Sequence, residues 1–136
     1  MRGGKAVDVA LQFVEAICSH DVERIVSLLT DDHVLIDSGG QDLQGKKIIG
    51  VAWTAYFLAF PDYRILVSEI IDQGDVVALF GTASATFSVE GKLLPENSWA
   101  IPACWKAVIK GGKVAEWQVY SDNEPVRQIL AGEPQE

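Results

Sequence analysis

Asp37 and His33 are the residues whose types and spacing suit proton transfer. Both lie in His33-Val-Leu-Ile-Asp37, a run that reads as a short strand entering the turn Ser38-Gly39-Gly40. Side chains alternate along a strand, so His33, Leu35 and Asp37 share one face. If that face points inward, a carboxylate stands at the wall of an apolar cavity. Burial there raises its pKa and makes it a better general base. Asp ahead of Ser-Gly-Gly is equally a common turn former. His33 could serve as acid, base or orienting partner, or could be a surface histidine at a strand start beside Asp31 and Asp32. His20 follows a helical stretch and suits the negative end of a helix dipole.

The large rings form a second group. The sequence holds four tryptophans and three tyrosines. Trp53 and Tyr56 fall on one face of a helical stretch. Trp99 and Trp105 share one face of a strand, and Trp117 lies on the last strand with Val119. Each could be core or cavity lining. Rings around a cavity with little charge favour flat, apolar ligands. Asp122 follows the last strand, where it either caps a tail helix or faces the mouth of a cavity.

Other chemistries lack their residues. There is no Gly-rich phosphate loop, GxSxG, HExxH or Cys/His ligand cluster, so neither metal nor cofactor is expected. Cys18 and Cys104 stand far apart and read as buried free thiols in a reducing cytoplasm. A net charge of −8 repels phosphate backbones, which argues against nucleic acid. No signal-like or membrane-length apolar run occurs, and no basic amphipathic helix, so no membrane partner is expected.

The elements that must position these residues follow from periodicity. Val7, Ala10, Leu11, Val14, Ile17 and Cys18 make a helical stripe over 6–20. Asp21 caps a second helix carrying Val22, Ile25, Val26, Leu28 and Leu29, closed by Thr30-Asp31-Asp32. Lys46 to Phe60 is a third helix, ended by Pro61. The second half reads as strands: 63–71, 76–89 with Gly81 as a bulge or bend, 99–109, and 114–120. Lys110-Gly111-Gly112-Lys113 is a hairpin turn. A short helix follows Pro125. Helices first and hairpins after give an α+β fold, three helices on a strongly curved antiparallel sheet. The length of 136 residues suits a single domain, with its core from about 6 to 130.

The runs LLTDDHVLIDSGG, GKKIIGVAWTAYFLAFPDYR and GKVAEWQVYSDNEPVRQIL resemble the SnoaL-like branch of the nuclear transport factor 2 (NTF2)-like superfamily, which includes ketosteroid isomerases and polyketide cyclases. The resemblance implies a cone-shaped fold and a homodimer paired through the sheet. It implies a pocket for a small hydrophobic molecule, lined by Phe13, Trp53, Tyr56, Trp99, Trp105, Trp117 and Asp122. It also implies cofactor-independent isomerase, cyclase or lyase chemistry with Asp37 as base and His33 or Tyr56 as hydrogen-bonding partner. By the same resemblance, Phe13, and Trp105 or Cys104, stand where the isomerases carry their oxyanion donors, and none of them is a hydroxyl or carboxylic acid. A non-catalytic homodimeric module that binds a ligand or a protein is the alternative.

Overall fold

The computed structural model of the protein describes residues 4–132. Helices α1 (Gly4–Cys18) and α2 (Val22–Ser27) precede strands β1 (Leu29–Ile36) and β2 (Asp42–Gln44). Helix α3 (Lys46–Ala59) then leads into β3 (Arg64–Gln73), β4 (Val76–Thr86), β5 (Ser98–Lys110) and β6 (Lys113–Ser121), and α4 (Glu124–Leu130) follows. The α+β class and the cone hold.

Along α1 the buried residues are Ala10, Phe13, Val14, Ala16 and Ile17. Leu11 and Cys18, expected on the stripe, are exposed, so the buried face is rotated toward Phe13 and Ala16. The helix ends with His20 in the left-handed region at φ 57. The amide of Asp21 donates to the Ala16 carbonyl at 3.1 Å and that of His20 to Ile17 at 3.0 Å, which closes off the last turn as a Schellman motif. Asp21 caps α2 by accepting from the Arg24 amide at 3.1 Å.

Helix α2 is shorter than its apolar spacing predicts. Leu29 to Asp32 begin β1 instead of ending a helix. Leu29 pairs with Val114, and the Val114 amide donates to the Leu28 carbonyl at 2.7 Å. Leaving the helix buries Leu29 and gives its backbone a strand partner.

The six strands run in the order β2-β1-β6-β5-β4-β3. The sheet is mixed rather than wholly antiparallel, because β1 pairs with β6 in parallel. Both strands are separated by most of the chain, so a parallel pairing carries no hairpin signal. Odd-numbered residues of β4 and β5 face the helices: Val77, Leu79, Ala83, Ala85, then Trp99, Ile101, Trp105, Ala107 and Ile109 are buried.

Gly81 sets the curl. It pairs with Val67 beside a register shift between Val67 and Glu69. A Cβ at Gly81 would collide with the Leu66 carbonyl oxygen, so the backbones approach there as no other residue permits. The β5–β6 hairpin turns through Gly111 and Gly112, at φ 58 and 77, the signs a two-residue turn of this kind needs.

The thiols differ from expectation. Cys18 is exposed and Cys104 half-buried. Cys18 lies on the open side of α1, its Sγ 3.4 Å from both the amide and the carbonyl of Ile65.

Candidate functional site

A cavity of about 210 Å³ lies between α3 and the inner face of the sheet. Four elements build it. Helix α3 supplies Trp53 and Tyr56, one turn apart. The end of β1 supplies Leu35, Ile36, Asp37 and Ser38. Strand β6 supplies Trp117 and Val119, with Asn123 beyond it, and Tyr63 enters just ahead of β3.

The rings meet edge to face. Trp53 and Tyr56 stand 6.2 Å apart at 86°, and Tyr56 and Tyr63 stand 5.0 Å apart at 86°. Such arrangements place the electropositive edge of one ring against the face of the next. Behind this wall Phe13 packs on Trp117 at 4.9 Å, and Trp99 packs on Tyr63 at 6.2 Å. The indole N–H groups of Trp53 and Trp99 are buried without a hydrogen-bond partner among the described residues.

Tyr63 is held from several directions. A turn closes on it, its amide donating to the Phe60 carbonyl at 3.0 Å. Its own carbonyl lies 2.9 Å from Nε2 of His20; a carbonyl only accepts, so Nε2 carries the proton. Asp62 takes the Thr86 amide at 2.7 Å and the Thr86 hydroxyl at 2.8 Å, tying the turn to the end of β4. The Trp105 indole lies beside the Tyr63 hydroxyl and pulls its pKa down, against the larger effect of burial. Burial pushes both tyrosine pKa values far up, so Tyr56 and Tyr63 stay protonated across the whole neutral range.

Asp37 is the charged residue of the lining. It sits at the rim and is exposed. Its Oδ1 accepts from the amides of Gly39 and Gln41, both at 2.9 Å. The same carboxylate therefore forms the turn and faces the cavity, with Oδ2 outside that turn. Across the rim, the Asn123 side-chain amide donates to the Ser38 hydroxyl at 2.8 Å. Ser121 donates to the Asn123 carbonyl oxygen at 2.8 Å.

Of the residues singled out in the sequence, Asp37, Trp53, Tyr56 and Trp117 line the cavity. Phe13, Trp99 and Trp105 are buried behind the lining. His33 is buried too, 6.3 Å from Phe13 and outside the lining. Its Nδ1 lies 2.7 Å from the Val114 carbonyl, while Nε2 has no partner among the described residues. Burial lowers its pKa below 6.5. Asp122 lies outside the lining and accepts from the Glu124 amide at 3.0 Å; its neighbour Asn123 lines the cavity instead. Tyr63, Ser38 and Asn123 were not anticipated. The signal for Tyr63 was the Phe60-Pro61-Asp62 turn, which folds the chain back on Tyr56. No group of three or more His, Cys, Asp or Glu that could hold a metal occurs among the described residues.

Six strands curled around helices with a ring-lined cavity define an α+β cone of the NTF2 and ketosteroid isomerase-like kind. The chain belongs to the SnoaL-like domain family, whose sequence profile matches residues 10–117. Among solved structures it is similar to a provisionally assigned SnoaL-like polyketide cyclase from Shewanella denitrificans, at 16% identity and a TM-score of 0.80, covering 94% of this chain and 98% of that one. TerC, co-crystallised with polyporic acid, matches at 19% identity and a TM-score of 0.77, over 93% and 98% of the two chains. An epoxide hydrolase of M. tuberculosis, LEH-like, matches at 16% and 0.77, over 95% and 91%. No curated protein matches the chain. Within the described residues, no helix is long and apolar enough to cross a membrane.

Proposed function

We propose that this protein binds a small hydrophobic ring compound between α3 and the sheet, and acts on it without a cofactor. The observation that carries this is the cavity itself, ringed by Trp53, Tyr56, Tyr63 and Trp117 with a single carboxylate at its rim. The reaction class is isomerisation, cyclisation or elimination begun by proton transfer. Oδ2 of Asp37 would take a proton from the carbon beside a carbonyl. The C–H electrons pass to the carbonyl oxygen as an enolate, and the proton returns at another carbon. The similarity to SnoaL-like polyketide cyclases supports this reading.

Deuterium uptake tests it. In D₂O, 1-indanone should exchange its α-protons faster with the protein than in buffer alone, and Asp37→Asn should remove the difference. Asn keeps a side-chain oxygen for the amides of Gly39 and Gln41, so the turn survives while the base is lost. Exchange at the buffer rate with the unmodified protein would leave a non-catalytic ligand-binding module. The exposure of Asp37, and its use in the turn, favour that second reading.

The outer sheet face carries exposed Leu66, Ile71, Val76 and Tyr120, and we assign it to a homodimer. Sedimentation equilibrium finding only monomer at tens of micromolar would reject the assignment. Cys18 and Cys104 are both free thiols, which supports our assignment to a reducing, cytoplasmic compartment.

A further inference from the structure

The proposed cavity has a polar end that its apolar description omits. Tyr56 and Tyr63 line it together, ring against ring at 5.0 Å and 86°. The Tyr56 hydroxyl has no hydrogen-bond partner among the described residues, yet it is absent from the side-chain atoms shut off from solvent. It is therefore open to a ligand. The Trp105 indole lies beside the Tyr63 hydroxyl and opposes the upward push of burial on its pKa. An indole N–H can only donate, so it occupies an acceptor site of the phenol and leaves the O–H to donate elsewhere. A hydroxyl that accepts one hydrogen bond also becomes a stronger donor for the next.

We infer that the hydroxyls of Tyr56 and Tyr63 form a paired donor site for one acceptor oxygen of the ligand, a ketone carbonyl or the enolate derived from it, with Trp105 as the residue that orients Tyr63. This deepens the proposed function and rests on it. Burial keeps both phenols protonated, so they donate rather than repel an oxyanion. A donor pair aimed at one oxygen stabilises an enolate more than the ketone it comes from. The two donors come from α3 and the α3–β3 turn, so they are different residues from Phe13 and Trp105 or Cys104, the positions that correspond to the isomerases' donors.

Volume narrows the ligand further. An apolar cavity of about 150 Å³ holds benzene, and drug-sized ligands need about 300 Å³ or more. At about 210 Å³, the cavity, open at its rim, fits one or two fused rings. The ligand class is thus a planar ketone of one or two rings, with larger substituents passing the rim at Asp37 and Asn123.

The test compares 1-indanone with indane, which share a ring system and differ in the carbonyl. Binding is read by quenching of the protein's tryptophan fluorescence. The unmodified protein should bind 1-indanone about five- to thirtyfold more tightly, the range for one or two net hydrogen bonds. Tyr56→Phe and Tyr63→Phe should each lower the ratio of the two affinities, and the double variant should bring it near one. Trp105→Phe removes the N–H and keeps a ring; it should lower the same ratio, whereas a purely structural role would weaken both ligands alike and leave the ratio in place. A ratio near one in the unmodified protein, with indane bound, would overturn the donor pair and leave the cavity reading standing. A ratio that survives in the double Tyr variant would also overturn it. Failure of both compounds to bind would overturn the cavity reading and the donor pair together.

Discussion

The imidazole of His33 is bonded through Nδ1 to the backbone carbonyl of Val114 at 2.7 Å, and its Nε2 is buried without a partner. The carbonyl only accepts, so Nδ1 holds the proton and the neutral ring presents a bare lone pair at Nε2. Burial lowers its pKa below 6.5, although the Val114 bond, Asp32 and Glu116 pull the other way. The unfolded chain then binds the proton first as pH falls. Stability contributed by the neutral ring is complete above about pH 7 and is lost as pH drops from about 6.5 toward the folded pKa. Urea midpoints measured from pH 8 to pH 5 should fall below pH 6.5, and His33→Gln should flatten that part of the curve.

Gly81 allows no side chain. An added Cβ would strike the Leu66 carbonyl, which belongs to backbone and cannot swing aside. Gly81→Ala should cost at least about 3 kcal/mol, at the high end for overpacking. Thermal unfolding would show it as a fall in Tm of more than about 10 °C. An unchanged Tm would mean that the curl does not depend on this contact.

Asp62 holds Thr86 by both carboxylate oxygens, and the Thr86 hydroxyl lies 2.9 Å from that of Ser98. Asp62→Ala leaves a buried amide and hydroxyl short of partners, at a cost of about 1–3 kcal/mol. Because Asp62 precedes Tyr63, affinity for 1-indanone should drop along with the urea midpoint. Asp62→Asn keeps an acceptor oxygen and should recover most of both.

Trp53 and Trp117 line the cavity while Trp99 and Trp105 are buried behind it. Ligand should therefore quench the first two. A Trp53→Phe/Trp117→Phe variant should keep part of its emission and lose most of its ligand-dependent change. Equal quenching in that variant would place the bound compound elsewhere.

Local signals carried most of the architecture. The four-residue spacing of Ile49, Trp53 and Phe57 marks the buried stripe of α3, and Gly111-Gly112 marks the last hairpin. Where two signals competed, the nearer one misled. Leu28 and Leu29 continue the apolar period of α2, but pairing with Val114 draws Leu29 into β1. Long-range pairing of that kind leaves no trace in a window of ten residues. The site divided along the same line. Trp53, Tyr56 and Trp117 were legible because each sits on a regular element with a definite inward face. Tyr63 and Asn123 lie at element ends, where direction is decided by a turn and by hydrogen bonds to distant residues. The burial of His33 depends on β6 pairing alongside β1, which its neighbours Asp31 and Asp32 do not foretell.

The parallel pairing of β1 with β6 has a consequence for biosynthesis. Residues 29–36 leave the ribosome well before their partner at 114–118 emerges. Until then the inner edge of β1, with Leu35 and His33, has no neighbour on that side. The nascent chain can build its α1–α2 corner and its β3–β4 hairpin from nearby residues, but the ligand compartment closes last. Slow, sequence-distant pairing of this sort lengthens folding and prolongs the exposure of an unpaired edge. Production of this protein should therefore be more sensitive to translation speed and growth temperature than its compact folded state suggests.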